Sequence, residues 1–377
     1  MRNVLISGGA GFIGSNLALK LIDKGYRVTV LDNLSKQIHG DDPNKSYTYN
    51  LIKNKVNMIF GDVNSFDDWE KALKECDVVV HLAAETGTGQ SMYEIDKYVA
   101  TNIGGTAKLL ELLTNKANKV KKLIIPSSRA VYGEGKFECK KHGNVFPESR
   151  LEKHMSNGDY EVKCPICFEN VEMLPTDENS RLHPTSVYGF SKQAQEQICM
   201  IVGKSIGLPV VAYRFQNVYG PGQSLKNPYT GIISIFSTRI KNGNAINIFE
   251  DGHETRDFVY LDDVTDAIIL GIEKDAANFH TFNVGYGVKT DVLTVAKTLK
   301  DKYGIDVKVN VSGNYRLGDI RHNLGDLTFI KEKLGYEPKV SFLDGIARFI
   351  DWVEQQEVET DNYDKSIQEM KEKGLYK

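Results

Sequence analysis

Val4-Leu5-Ile6-Ser7 runs straight into Gly8-Gly9-Ala10-Gly11-Phe12-Ile13-Gly14, and this junction narrows the fold more than any other stretch. The apolar run has the length of a buried strand. Leu17, Leu21 and Ile22 then recur at helical spacing up to a stop signal at Gly25. A second strand, Val28-Thr29-Val30-Leu31, ends in Asp32. Strand, glycine turn, helix, strand and terminal acid is the order of a dinucleotide-binding βαβ unit. Gly8 permits the tight turn, Gly11 lets backbone approach a pyrophosphate, and Gly14 lets helix and strand pack closely. The helix N-terminus then faces the negative charge. Asp32 can accept hydrogen bonds from both ribose hydroxyls and repels a 2′-phosphate, which favours NAD over NADP. For Asp32 taken alone, the alternative is a solvated turn residue.

The alternation continues. Residues 56–60 form a strand leading to Asp62 and Val63, with Asp62 placed to touch an adenine edge. Ser65 reads as the N-cap of a helix carrying Trp69 and Leu73. The strand at 78–82 ends at Leu82, Ala83 and Ala84, where small side chains let a cofactor lie against backbone; His81 reads as a core histidine. A helix over 95–113 holds Asn102, and 123–125 gives the next strand. Such units predict an α/β fold with a doubly wound parallel (Rossmann) sheet, its ligands bound at the strands' carboxyl ends. Ser128 falls at that edge. Tyr188 and Lys192, four residues apart, share one face of a later helix.

A chain of 377 residues exceeds the usual single domain. We expect a cofactor domain over 1–214 and a smaller, interleaved α/β substrate lobe over most of 215–377, with 258–285 packing back on the first. The net charge of −3, with acids and bases intermixed, gives no reason to expect nucleic acid or an anionic membrane as partner. No apolar stretch approaches the roughly 20 residues of a membrane span, and the first apolar run is too short for a signal peptide. Five cysteines, an odd count without a disulfide framework, suit a reducing, cytoplasmic compartment. The end of the chain, 355–377, reads as a charged helical tail with no assignable chemistry.

With the glycine turn, Ser128 and Tyr188/Lys192 in place, the chain resembles the extended short-chain dehydrogenase/reductase family, in its nucleotide-sugar epimerase and dehydratase branch. Further matching pieces are Asp62-Val63, His81-Leu82-Ala83-Ala84, Asn102 with Gly105-Thr106, Ser127 to Gly133, Arg214-Phe215-Gln216-Asn217-Val218-Tyr219-Gly220-Pro221 and Arg256-Asp257-Phe258-Val259. The resemblance implies Ser128, Tyr188 and Lys192 as the catalytic set and a tightly bound NAD. Its cofactor contacts would come from the glycine turn with Phe12 and Ile13, from Asp32, Asn33, Asp62, Val63, Leu82, Ala83, Ala84 and Asn102, and from Tyr188 and Lys192. It implies a nucleotide-diphosphate sugar held by Thr86, Ser128, Asn217, Tyr229, Arg256, Arg316 and Asp319, and a homodimer built on the Asn102 and Tyr188 helices. Arg321 and His322 are weaker candidates.

The chemistry of the set can be argued independently. A phenol titrating near ~10 is a poor base at neutral pH, and Lys192 is expected to favour its phenolate. Ser128 can hold a sugar hydroxyl in line while Tyr188 takes its proton and the carbon's hydride leaves to NAD. Dehydratases of the branch carry acidic residues directly after the serine or threonine; here Arg129 and Ala130 stand there. That departure favours a 4-epimerase, through a 4-keto intermediate and hydride return. The wording from Ser128 to Gly135 looks most like dTDP-L-rhamnose 4-epimerase-type members. Other enzymes of the branch (UDP-glucose or UDP-GlcNAc 4-epimerases, dehydratases, reductases), or a non-catalytic NAD-binding sensor, are the alternatives.

Between the halves of this set lies an insertion, 134–184, poor in apolar runs. It carries Cys139-Lys140-Lys141-His142 and Cys164-Pro165-Ile166-Cys167. A Cys-x-x-His knuckle paired with a Cys-x-x-Cys knuckle has the spacing of a closed structural zinc site. A reversible disulfide at Cys164/Cys167, or free thiols, are the alternatives. Basic and aromatic residues do not cluster here, which argues against a nucleic-acid role. The insertion is expected to act as a metal-stapled flap at the site's entrance.

Overall fold

The computed structural model describes residues 2–377. Runs rich in Val, Ile and Leu form the strands β1 Asn3–Ser7, β2 Arg27–Asp32, β3 Asn57–Phe60, β4 Val78–His81 and β5 Lys122–Ser128, with Val210–Phe215 and His280–Val284 following later. They make one seven-stranded sheet in the order His280–Val284, Val210–Phe215, β5, β4, β1, β2, β3, every neighbour parallel. This is the doubly wound α/β fold the sequence predicts. The order reverses between β1 and β4, which opens a crevice at their carboxyl ends.

Both faces of the sheet are covered, so its strands read as continuous apolar runs. Val4 and Ile6 face a cluster with Leu17 and Leu21 of the helix α1, Phe12–Asp23, and Ile268 of the helix Leu261–Glu273. Leu5 points the other way, to Trp69, Leu109 and Cys199. Each such side chain contributes about 1.5–3 kcal/mol by burial. Part of the second half thus completes the first sheet, as strand His280–Val284 and helix Leu261–Glu273. The remainder has its own core around Phe236, Ile240, Val295, Leu299 and Phe349.

One element departs from expectation. In place of a regular helix over 95–113, Ile95–Tyr98 passes into a π-helical segment, Val99–Gly105, before Thr106–Asn115. Asn102 lies in the wide segment, a common device at functional sites.

The insertion folds as a three-stranded antiparallel unit, Phe137–Cys139, Gly143–Val145 and Glu172–Met173, on a small core of Phe137, Val145, Val162 and Val171. Its neck is narrow: the N–H of His183 donates to the carbonyl of Val131 at 3.0 Å.

Candidate active site

At the carboxyl ends of the strands lies a cavity of about 690 Å³, a size that takes a cofactor together with part of a substrate. Gly8, Gly11, Phe12, Ile13 and Gly14 open onto it, as do Asp32, Asn33, Asp62 and Val63. Leu82, Ala83 and Ala84 line it beyond β4, and Ser128, Tyr188 and Lys192 beyond β5. Thr86, Asn217, Tyr229, Arg256, Arg316 and Asp319 complete the set of predicted residues that reach it. Asn102 does not. It is fully buried behind the wall, where its amide accepts from the Glu85 N–H (2.8 Å) and donates to the Glu85 carbonyl (3.1 Å) and Ser191 Oγ (2.9 Å). Its expected cofactor contact is therefore corrected: Asn102 positions the loop after β4 against the tyrosine helix.

The turn end of the cavity suits a dinucleotide. Gly8 has φ 67°, and a Cβ there would stand 2.7 Å from the Ala83 main chain. No side chain caps α1 and no acid sits in its first turn, so its leading N–H groups remain available to an anion. Asp32, at the end of β2, accepts from the N–H groups of Ala10 and Leu34, both at 2.9 Å. Burial pushes its carboxyl above the ordinary range, against those two N–H groups and the nearby His39. The Ser127 hydroxyl, also in the lining, is buried without a partner among the described residues.

Packing fixes the Ser128 turn against the tyrosine helix, Val187–Ile206. Ser128 Oγ accepts from the Ala130 N–H (3.2 Å) and so caps the short 3₁₀ turn Arg129–Tyr132. The Tyr132 hydroxyl accepts from Arg214 (2.7 Å) and donates to Asn283 (2.9 Å). Arg214 is forked onto Glu196 at 3.0 and 2.5 Å, one turn beyond Lys192. Lys192 itself donates to Gln195. From there a buried chain runs through Thr106 (2.8 Å) to His81 (2.9 Å) and Ser7 (2.6 Å), at the crevice between β1 and β4. His81 is fully buried, and desolvation followed by the Lys192 charge pushes it down to about 3, leaving it neutral.

Burial pushes the Lys192 ammonium down to about 7. It pushes the Tyr188 phenol up, opposed by the Ser128 hydrogen bond and then by the charge of Arg129. The charge acting on the phenol is that of Arg129, while Lys192 turns its Nζ to Gln195. Arg129, directly after Ser128, lines the cavity.

Across the cavity, Arg256 donates to Asp319 (3.3 Å) and to the carbonyls of Thr255 (2.9 Å), Ile320 (2.9 Å) and Arg321 (3.0 Å). Arg316 holds the other oxygen of Asp319 at 2.5 Å. Although Asp319 is desolvated, Arg316 and Arg256 keep its carboxyl far below the usual range. Arg321 and His322 stay out of the cavity. Arg321 is buried against Glu161 (2.7 Å), Glu250 (3.0 Å) and Asp251 (2.7 Å), and His322 bonds Thr255 (3.0 Å).

No residue of 134–184 lines the cavity, so the insertion is not the flap its position suggested. It braces the Arg316–Asp319 loop from behind. Arg150 pairs with Glu250 (2.8 Å) and Glu134 (3.3 Å) and donates to the Asp319 carbonyl (3.1 Å), while Glu161 holds Arg321. At the insertion's far end the ligand atoms of Cys139, His142, Cys164 and Cys167 all lie within 4.8 Å of one another. The five cysteines are free thiols.

The tail is the region the sequence reading missed. Its helix, Tyr363–Glu372, presents Tyr363, Ser366, Ile367 and Met370 to the cavity, and Leu375 follows. The spacing i, i+3, i+4, i+7 was the available signal of a covered face.

Residues 4–151 and 167–285 match the NAD dependent epimerase/dehydratase family. The chain belongs to this family. Among its relatives, a dTDP-L-rhamnose 4-epimerase of Burkholderia thailandensis is 35% identical over 358 residues, 94% of this chain and 96% of the relative. A UDP-glucose 4-epimerase of Thermotoga maritima, solved with UDP-glucose, has a TM-score of 0.75 at 31% identity, covering 94% of this chain and 99% of that one. A UDP-glucuronic acid 4-epimerase of Bacillus cereus, solved with UDP-glucuronic acid and NAD, has a TM-score of 0.75 at 25% identity and the same coverage. The matched residues leave out 152–166, within the insertion, and everything after 285. No helix among the described residues is long and apolar enough to cross a membrane.

Proposed function

We propose that this family member is an NAD-dependent nucleotide-sugar 4-epimerase, an isomerase that takes a 4-hydroxyl through a ketone and back. The observation carrying this reading is the convergence of Ser128, Tyr188 and Lys192 on one cavity, with Arg129 and Ala130 in place of an acidic pair. The uncapped start of α1, the Asp32 carboxylate and the unpartnered Ser127 hydroxyl are suited to hold NAD. When bound, NAD supplies an acceptor that takes the hydride from the sugar carbon and gives it back. Tyr188 removes the hydroxyl proton, and Ser128, beside that phenol, holds the hydroxyl in line. Arg129 favours the phenolate. Buried Lys192, held by Gln195, stands ready for the cofactor's ribose. Asn217, Thr86 and Tyr229 orient the sugar, while Arg256 and Arg316, fixed by Asp319, pair with the diphosphate. Without an acid beside Ser128, elimination of water next to the ketone has no catalyst, so the ketone turns and is reduced again.

The relative at 35% identity favours a dTDP-6-deoxyhexose such as dTDP-L-rhamnose as substrate. The solved relatives keep UDP-sugars as the second reading. A panel of dTDP- and UDP-sugars followed by NMR, without added cofactor or reductant, tests both: a 4-epimer at constant NADH absorbance is expected. Net loss of water or a 340 nm change would overturn the epimerase assignment.

The Cys139/His142/Cys164/Cys167 cluster we read as a structural zinc site. A tetrahedral zinc with bonds of about 2.3 Å to sulfur and about 2.05 Å to nitrogen sets S–S edges near ~3.75 Å and S–N edges near ~3.55 Å. The corresponding separations here are 3.7 Å for Cys139–Cys167, 3.4 Å for Cys139–His142 and 3.5 Å for Cys164–His142. Cys164 and Cys167, the pair of the disulfide alternative, both carry free thiols. A homodimer through the Asn102 and Tyr188 helices is supported by Ile95, Val99, Phe190 and Ile201, exposed along these two elements. Phe190→Glu should convert it to monomer in light scattering. The free thiols suit a cytoplasmic setting.

A further inference from the structure

The last residues of the chain hold the loop that presents Arg316. Beyond the helix Tyr363–Glu372 the backbone reverses at Gly374, φ 71°, and residues 375–377 run antiparallel to 315–317. Tyr315 and Lys377 exchange both main-chain hydrogen bonds at 3.0 Å, and the Leu317 N–H donates to the Leu375 carbonyl at 3.0 Å. Arg316 sits between these bonds. Its guanidinium lies 5.0 Å over the Phe249 ring, and Phe249 meets Tyr376 edge-on at 5.3 Å. Arg316 Nε is buried without a partner among the described residues, in the cavity lining, so one donor is left for a ligand.

The helix is fixed at both ends. At its start Arg239 pairs with Asp361 (3.2 Å) and Asp364 (3.0 Å) and stacks 4.6 Å over Tyr363. Near its end Glu369 accepts from Tyr229 (2.5 Å), which accepts from Tyr93 (2.6 Å). Met370 is buried beside the loop after β4, its sulfur 3.2 Å from where a Cβ on Gly89 would stand. The tail therefore spans from the diphosphate arginine to the loop carrying Thr86, and it lies outside the stretches that match the family's model.

We propose that residues 363–377 are part of the substrate site: the terminal strand positions Arg316 for a diphosphate, and the helix walls the cavity over the bound nucleotide sugar. This rests on the nucleotide-sugar reading above. Met370 and Tyr376 are positioning residues, distinct from the Ser128–Tyr188–Lys192 centre.

The test uses the full-length protein and the single variants Met370→Glu and Tyr376→Ala. UDP and dTDP are titrated calorimetrically, bound NAD is measured after acid release, and KM and kcat are taken on any sugar turned over. Both variants should weaken nucleoside-diphosphate binding at least tenfold, raise KM more than they lower kcat, and keep the wild-type NAD content. Met370→Gln, close in size, checks a variant that fails to fold and should recover most of the affinity. Unchanged affinity in folded Met370→Glu and Tyr376→Ala, with only a lower Tm, would reduce the tail to a stabilising cap and overturn the proposal. If wild type itself binds neither UDP nor dTDP, the nucleotide-sugar reading falls, and the tail inference with it.

Discussion

Ser128 and Tyr188 come together from the end of a strand and the start of a distant helix, whereas Cys139, His142, Cys164 and Cys167 are gathered by two tight turns. The first group opens onto a cavity, and burial dominates its ionisation: Lys192 is pushed down to about 7 and the Tyr188 phenol is pushed up. The second lies outside that cavity, and its four ligand atoms lie within 4.8 Å of one another. Groups that face inward on each other can close around an ion. Groups that face a shared space can act on a molecule. The two regions nevertheless touch one loop, since the insertion's Arg150 and Glu161 brace the segment that carries Arg316 and Asp319 into the cavity.

The largest effect should come from Tyr188→Phe. If the open group is chemical, turnover falls by about 10³-fold or more while NAD content is unchanged; surviving turnover would break the contrast at its centre. Cys164→Ser comes next. Metal analysis should fall from one zinc per chain to none, and Tm by about 3–6 °C, since each kcal/mol moves a chain of 377 residues by about 1.3 °C. Turnover should drop less than tenfold, through the braced loop, and a metal-free wild type purified without chelators would end the zinc assignment. Arg129→Ala removes the cation opposing the upward shift of Tyr188. The pKa of the ascending limb of kcat/KM, set by the phenolate base, should therefore rise, lowering the neutral-pH rate and sparing the alkaline one. An unmoved profile would mean that Arg129 serves only the substrate.

The smallest effect concerns the brace. The hydrogen bond from His322, and then the pairing with Arg321, hold Glu161 down at about 2, against partial desolvation. A carboxyl depressed in the folded state adds stability above its unfolded value, near ~4.5, that is lost as pH falls toward the folded one. Tm of wild type should thus fall between about pH 4.5 and 2 by more than that of Glu161→Gln. Parallel acid curves would show that the brace carries no net electrostatic weight.

The local parts of both regions were legible in sequence. The glycine turn, Asp32, the Tyr188/Lys192 pair and the two cysteine knuckles are short-range patterns whose geometry follows from helix, strand and turn periods. What stayed hidden depends on pairing between distant segments. Asn102 could be placed on a helix but not turned inward, because the π-helical segment that aims it leaves no apolar period. Arg321 reads as a loop arginine near a phosphate site until Glu161 and Asp251 are seen against it. The tail has the spacing of a covered face, yet nothing local says which surface covers it.

The narrow neck at Val131 and His183 has a further consequence. Because the two ends of the insertion are paired at Val131 and His183, the length of chain between serine and tyrosine is uncoupled from the distance between them. Closing a pinned loop costs entropy that grows only logarithmically with its length. The position is therefore a natural graft point, where a module can be lengthened, exchanged or given a metal without moving the two hydroxyls that meet beside it.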